Sequence, residues 1–156
     1  MSKQPASVAT LDSPDATAPV VVVPDGWDPT QVQGLIVVGV IASGGSHEAI
    51  GYAFRAAATR GGELILLYVL EGAPTRPDQP WYPAARQLVT RALDGWPDKF
   101  PDVTFRTHYR LGDPADVLAR YSQVADLVVV GGASSTPLGK SLQELSKCPI
   151  AFTGGH

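Results

Sequence analysis

A chain of 156 residues, 44% hydrophobic and 17% charged, has the length of one domain, or of one domain with an appendage, and enough apolar material for a core. Its 12 basic against 15 acidic residues leave a net charge of −3, which argues against nucleic acid or an anionic membrane as the main partner. The one cysteine, Cys148, excludes an intrachain disulfide or a cysteine-based metal cluster, and the longest apolar run, Leu35 to Ala42, is too short to span a membrane.

The first 17 residues are small and polar, with two prolines and no aromatic side chain, and are expected to form a disordered arm. No charged n-region followed by an apolar h-region opens the chain, so a cytoplasmic protein is the expectation. Val20 to Val23, four β-branched residues bounded by Pro19 and Pro24, read as a short extra strand, and Pro24 to Pro29 as a turn-rich linker. Residues 1–33 are thus an arm and 34–156 the compact domain. There, Leu35 to Ile41 is apolar without alternation, which predicts a strand buried on both faces. Gly44-Gly45 breaks it, and Ser46 can cap a helix over His47 to Thr59, ended by Gly61-Gly62. Leu64 to Leu70 is a second buried strand, and a proline-rich loop from Gly72 to Pro83 leads to a helix over Ala84 to Leu93. Val103 to Tyr109 alternates like a half-exposed edge strand, and Asp113 caps a helix starting at Pro114. Leu127 to Val130, a loop from Gly131, a short helix over Lys140 to Ser146 and a strand over Pro149 to Thr153 complete the pattern. Strand–helix alternation of this kind predicts an α/β three-layer sandwich with right-handed crossovers. Its candidate site is formed by the loops after Ile41, Leu70 and Val130.

Ile36 to Ser43 with Glu48-Ala-Ile, Gly112-Asp-Pro-Ala-Asp-Val-Leu118 with Ala125 to Gly131, and Lys147-Cys-Pro-Ile150 together resemble the universal stress protein family, over residues 34 to 153. The resemblance implies a five-stranded parallel sheet of order 3-2-1-4-5, usually dimeric through its fifth strand. Family members that hold ATP carry an Asp after the first strand, and here Ile41 matches that position. They also carry a long glycine loop after the fourth strand that wraps the phosphates with backbone N–H groups. In Gly131-Gly-Ala-Ser-Ser-Thr-Pro-Leu-Gly139-Lys-Ser141 the second glycine position falls on Ser134, only four residues separate it from Gly139, and the loop is about five residues short. The resemblance therefore implies a binding and regulatory module, not an enzyme, that does not hold ATP in the usual way and acts by dimerisation or protein association.

The competing reading is an adenine-nucleotide binder, or a slow ATPase, with a rearranged loop. There Val69 would pack the base, Ala42 and Ser43 would line the nucleoside, and Gly131, Gly132, Gly139 and Ser141 would hold phosphates. Neither reading names a catalytic residue or a metal ligand: the three histidines are scattered, with no matching pattern of carboxylates. No cofactor is expected beyond weak binding of adenine nucleotide or phosphate. Ala18 to Trp27 resembles the closing strand of a preceding universal stress domain, as if the chain were the second half of a tandem pair. The final strand is an apolar sheet edge that must be covered. Self-association through Pro149 to Thr153 is expected, with Val20 to Val23 pairing there in the same chain or a mate.

Overall fold

The computed structural model describes residues 6–10, 19–30, 33–40, 46–71 and 81–155. The strands, in chain order, are β1 (Ala6–Thr10), β2 (Val20–Pro24), β3 (Leu35–Val40), β4 (Glu63–Leu70), β5 (Phe105–Leu111), β6 (Leu127–Val130) and β7 (Ile150–Phe152). The runs without alternation, β3, β4 and β6, become neighbours at the centre of one sheet ordered β1-β2-β7-β6-β3-β4-β5. Their side chains are buried on both faces, which is why no polar period appears in them. Alternating β5 takes the outer edge and is half-exposed. Counted among themselves from that edge, the five parallel strands have the order 3-2-1-4-5.

Two helical layers cover the sheet. On one face, helix α1 (Ser46–Arg60) buries Ala49, Ile50, Ala53, Phe54 and Ala57 against Ile36, Val38, Leu64 and Leu66. Helix α2 (Trp81–Leu93) adds Ala85 and Val89 to this cluster, and the single turn α3 (Trp96–Lys99) adds Trp96. On the other face, helix α4 (Pro114–Ser122) is capped by Asp113, whose carboxylate accepts from Asp116 N at 3.1 Å. It packs Val117 and Leu118 over Val37, Leu67 and Val128, beside Leu142 of helix α5 (Pro137–Leu145).

The arm departs from the sequence reading. Residues 1–17 were expected to be disordered, but Ala6–Thr10 forms a strand antiparallel to β2, with Ala6 opposite Pro24 and Thr10 opposite Val20. The extra N-terminal strand is therefore a pair. β2 itself lies antiparallel to β7, with Val20 opposite Phe152 and Val22 opposite Ile150, and sends Val20 and Val22 into the α4–α5 core. Three other boundaries move. α2 begins at Trp81 rather than Ala84, β5 runs from Phe105 to Leu111, and α5 begins at Pro137 rather than Lys140. Thr136 supplies the α5 cap and Pro137 the fixed φ of a first helical residue, so the helix starts a turn earlier.

Cys148 is fully buried at the entrance to β7, where its Sγ donates to Pro149 O at 3.4 Å. Burial pushes its thiol up to about 12, against the smaller opposing effect of the hydrogen bond with Ser146. Since the thiolate is the reactive species, the folded protein at pH 8 is expected to react with an aromatic disulfide reagent at least about a hundredfold more slowly than free cysteine. One thiol per chain should then appear on adding denaturant. Rapid stoichiometric labelling of the native protein would contradict this burial.

Candidate functional site

In an open parallel sheet the ligand crevice lies beyond the carboxyl ends of the strands, where strand order reverses. That point is between β3 and β6, which pair in parallel from Ile36 with Leu127 to Val38 with Val129. Of the residues expected to form the site, Ala42 and Ser43 lie outside the described residues, as do Ile41 and positions 72–80. Val69 is 8% exposed and faces the α4 layer, opposite Arg110 on β5. Gly131 and Gly132 leave β6, while Gly139 and Ser141 lie inside α5, Ser141 in its second turn.

The structure brings Gly131, Gly132 and Gly139 together around one tight turn. Ala133 O accepts from Thr136 N at 3.3 Å and from Thr136 Oγ1 at 2.9 Å. Thr136 Oγ1 in turn accepts from Gly139 N at 2.9 Å, closing the helix start. Gln143 Nε2 donates to Ser134 O at 3.0 Å and to Gly139 O at 3.1 Å. Gly139 is buried, and a Cβ there would meet Ala133 O and Ser134 O at 2.6 Å.

The chain end seals the turn from the other side. Thr153 N donates to Val130 O at 3.0 Å, Gly154 N to Gly132 O at 3.2 Å, and Ser134 N to Gly155 O at 2.9 Å. Gly154 approaches so closely that a Cβ on it would lie 2.8 Å from Gly132 C and 2.9 Å from Ala133 N. The loop thus joins the 152–155 segment through its own amides and carbonyls. Thr136, Gln143, Gly154 and Gly155 were not among the expected site residues. The Thr136-Pro137 pair was a readable helix-start signal, whereas the docking of 154–155 is a contact between distant positions.

Lys140, beside the loop, is exposed. The described histidines are engaged elsewhere. Trp96 Nε1 donates to His47 O at 3.0 Å and lies 3.2 Å from His47 Nδ1. His108 Nδ1 is 2.7 Å from the Tyr121 hydroxyl, and burial, then the Arg110 and Arg106 guanidiniums, lower its pKa below the ordinary imidazole value. Among the described residues no group of histidine, cysteine and carboxylate side chains could hold a metal ion, and no helix is long and apolar enough to cross a membrane.

Residues 35–143 match a family model described as the universal stress protein family. A universal stress protein of Mycobacterium tuberculosis is 32% identical over 127 residues, covering 74% of this chain and 40% of its own. A second from the same organism is 29% identical over 151 residues, covering 86% of this chain and 50% of its own. The chain therefore spans half or less of the length of these curated relatives. Among solved structures, a universal stress family protein from Burkholderia pseudomallei superimposes with a TM-score of 0.55 at 25% identity, over 77% of this chain and 95% of its own. A universal stress protein in complex with cAMP shares the fold with a TM-score of 0.55 at 24% identity, over 78% and 95% of the two chains. One from Archaeoglobus fulgidus does so at 0.59 and 18%, over 88% of this chain and 50% of its own. A family match running from β3 into α5, on a sheet with the strand order the motifs implied, means that this chain belongs to the universal stress protein family.

Proposed function

We propose that this chain is a binding and regulatory module of the universal stress type, not an enzyme, whose phosphate loop is closed on itself and which acts through association at its sheet edge. The observation carrying the reading is where the loop amides point. Ser134 N–H is donated to Gly155 O and Gly139 N–H to Thr136 Oγ1. A phosphate is held by such donors when they converge outward at a helix start. In this loop the chain supplies the acceptors, and the segment is too short to encircle three phosphoryl groups. The crowded surroundings of Gly139 and Gly154 support the same view, because neighbouring backbone leaves no room for a Cβ and so accounts for both glycines without a ligand. Within one chain β7 is already covered by β2, and β2 by β1. Association would then proceed by exchange of the arm, and the register of β2 supports it, because the strand that pairs with β7 of its own chain could pair identically with that of a second copy.

The cAMP complex of a structural relative favours a second reading, weak adenine-nucleotide binding. In it Val69, Ala42 and Ser43 contact the nucleoside while Gly131, Gly132, Gly139 and Ser141 face the phosphate. Calorimetric titration with Mg-ATP, AMP and cyclic AMP separates the two. The closed loop predicts ATP affinity no tighter than about 1 mM, some −4 kcal/mol. Micromolar ATP binding would overturn the proposal, and selective micromolar binding of AMP or cyclic AMP would establish the second reading in its place.

A further inference from the structure

The arm builds a second concavity at the opposite end of the sheet from the phosphate loop. The linker after β2 turns at Pro24, where Trp27 N donates to Pro24 O at 3.3 Å, and Gly26 sits at a φ of 80°. Its far end is fixed by Asp126, whose two carboxylate oxygens accept from Gln33 N and Gly34 N, each at 2.7 Å. Residues 24–28 and Gln33, with the ends of α4 and α5, line a half-open cavity of about 580 Å³. That volume lies within the usual range for small-molecule sites, which favour junctions between structural units.

The walls define the chemistry. Val22, Ala125 and Ile150 form an apolar floor, and half-buried Trp27 supplies an aromatic side. At the rim stand three carboxylates, Asp25, Asp28 and Glu144, against one ammonium, Lys147. Among the described residues none of the three is ion-paired, and Asp28 accepts only from Thr30, at 2.7 Å and 3.0 Å. An indole face beside unpaired carboxylates over an apolar floor suits a cation carried on an apolar body.

We propose that this cavity binds a small organic cation, a protonated amine on an aromatic or aliphatic skeleton, with the skeleton against Trp27 and the ammonium at the Asp25–Asp28–Glu144 rim. The cavity is lined by the other end of the sheet from the nucleotide crevice and meets the phosphate loop only through Gln143, which lines the cavity and donates to Ser134 O and Gly139 O. Because its walls come from both arm and domain, occupancy also holds β2 onto β7, since a ligand of the docked state alone stabilises that state.

The test is titration of the full chain by two-dimensional NMR with three probes of one shape: tryptamine, its alcohol analogue tryptophol, and indole-3-propionate. Tryptamine is expected to shift the Trp27 indole and the Glu144 and Lys147 amides, binding about tenfold or more tighter than tryptophol. Indole-3-propionate should bind least. Trp27→Ala and the Asp25→Asn/Asp28→Asn pair should each weaken tryptamine about tenfold while far-UV circular dichroism stays unchanged. Saturating tryptamine should slow hydrogen exchange at the Val20 and Val22 amides. Equal affinity for all three probes, no shifts at millimolar tryptamine, or an undiminished tryptamine affinity in a folded Trp27→Ala variant would each overturn the proposal.

Discussion

A chain lacking residues 1–24 is expected to differ from its parent in oligomeric state or to aggregate, and to melt at a clearly lower temperature. The reason lies in what β2 covers. Ile150, Ala151 and Phe152 are essentially inaccessible to solvent, and so is Val20, with Val22 only 5% exposed. Each valine side chain withdrawn from water contributes roughly 1.5–3 kcal/mol, an upper figure because the unfolded chain is itself partly compact. Losing the pair therefore removes about 3–6 kcal/mol from a domain whose whole stability is of the order of 5–15 kcal/mol. The deletion also leaves β7 with a row of unpaired backbone groups beside newly exposed apolar side chains, which is a template for pairing with another chain. Light scattering coupled to size exclusion, with a thermal melt, reads both effects. A defined dimer would mean that two β7 edges pair with each other, and large aggregates that the bare edge is indiscriminate. A monomer of unchanged melting temperature would mean that β2 contributes nothing to the edge.

How much of this was legible in the sequence follows from how local each signal is. β3, β4 and β6 were readable because burial on both faces removes every polar residue from the run, and nothing outside the run is needed to see it. The cap at Asp113 was readable for the same reason, whereas Ser46, expected as a cap, is the first residue of α1 itself. β1 was not. Ala6–Thr10 (Ala-Ser-Val-Ala-Thr) is small and polar, and its strand state goes with a pairing partner, β2, that lies ten residues further on. The turn α3 rests on Gly95 at a φ of 84° followed by Trp96-Pro97, a signal too short to separate from an ordinary loop. At the candidate site, loop length could be counted but the destination of its amides could not. That Ser134 N meets Gly155 O depends on β7 bringing the chain end alongside Gly132, a three-dimensional fact with no periodic trace. The displaced start of α5 is different in kind. Thr136-Pro137 is a local helix-start signal, a hydroxyl cap followed by a residue with φ fixed for the first turn, and it lies one turn before Lys140.

Replacing Gly139 with alanine is expected to destabilise the fold by about 1–3 kcal/mol, although alanine is ordinarily the better helix former by about 0.8–1 kcal/mol. The added methyl would lie 2.6 Å from both Ala133 O and Ser134 O, and 2.9 Å from Ser134 C. Those atoms cannot easily withdraw. Ala133 O is held by Thr136 N and Oγ1, Ser134 O by Gln143 Nε2, and Ser134 N by Gly155 O. Relief therefore requires opening the α5 cap, worth about 1 kcal/mol, in addition to an overpacking cost of about 1–3 kcal/mol. Lys140→Ala, one residue on at an exposed position, should change stability by less than about 0.5 kcal/mol. Urea unfolding followed by circular dichroism compares the two, with the slope unchanged if only the native state is affected. The outcome also decides what the glycine is for. A glycine kept so that a ligand phosphate can approach would tolerate a methyl in the unliganded protein and lose only affinity, whereas one kept because its own backbone fills that space loses stability with no ligand present. A Gly139→Ala protein as stable as its parent would return the loop to the phosphate-binding reading, because the space beside residue 139 would then be open.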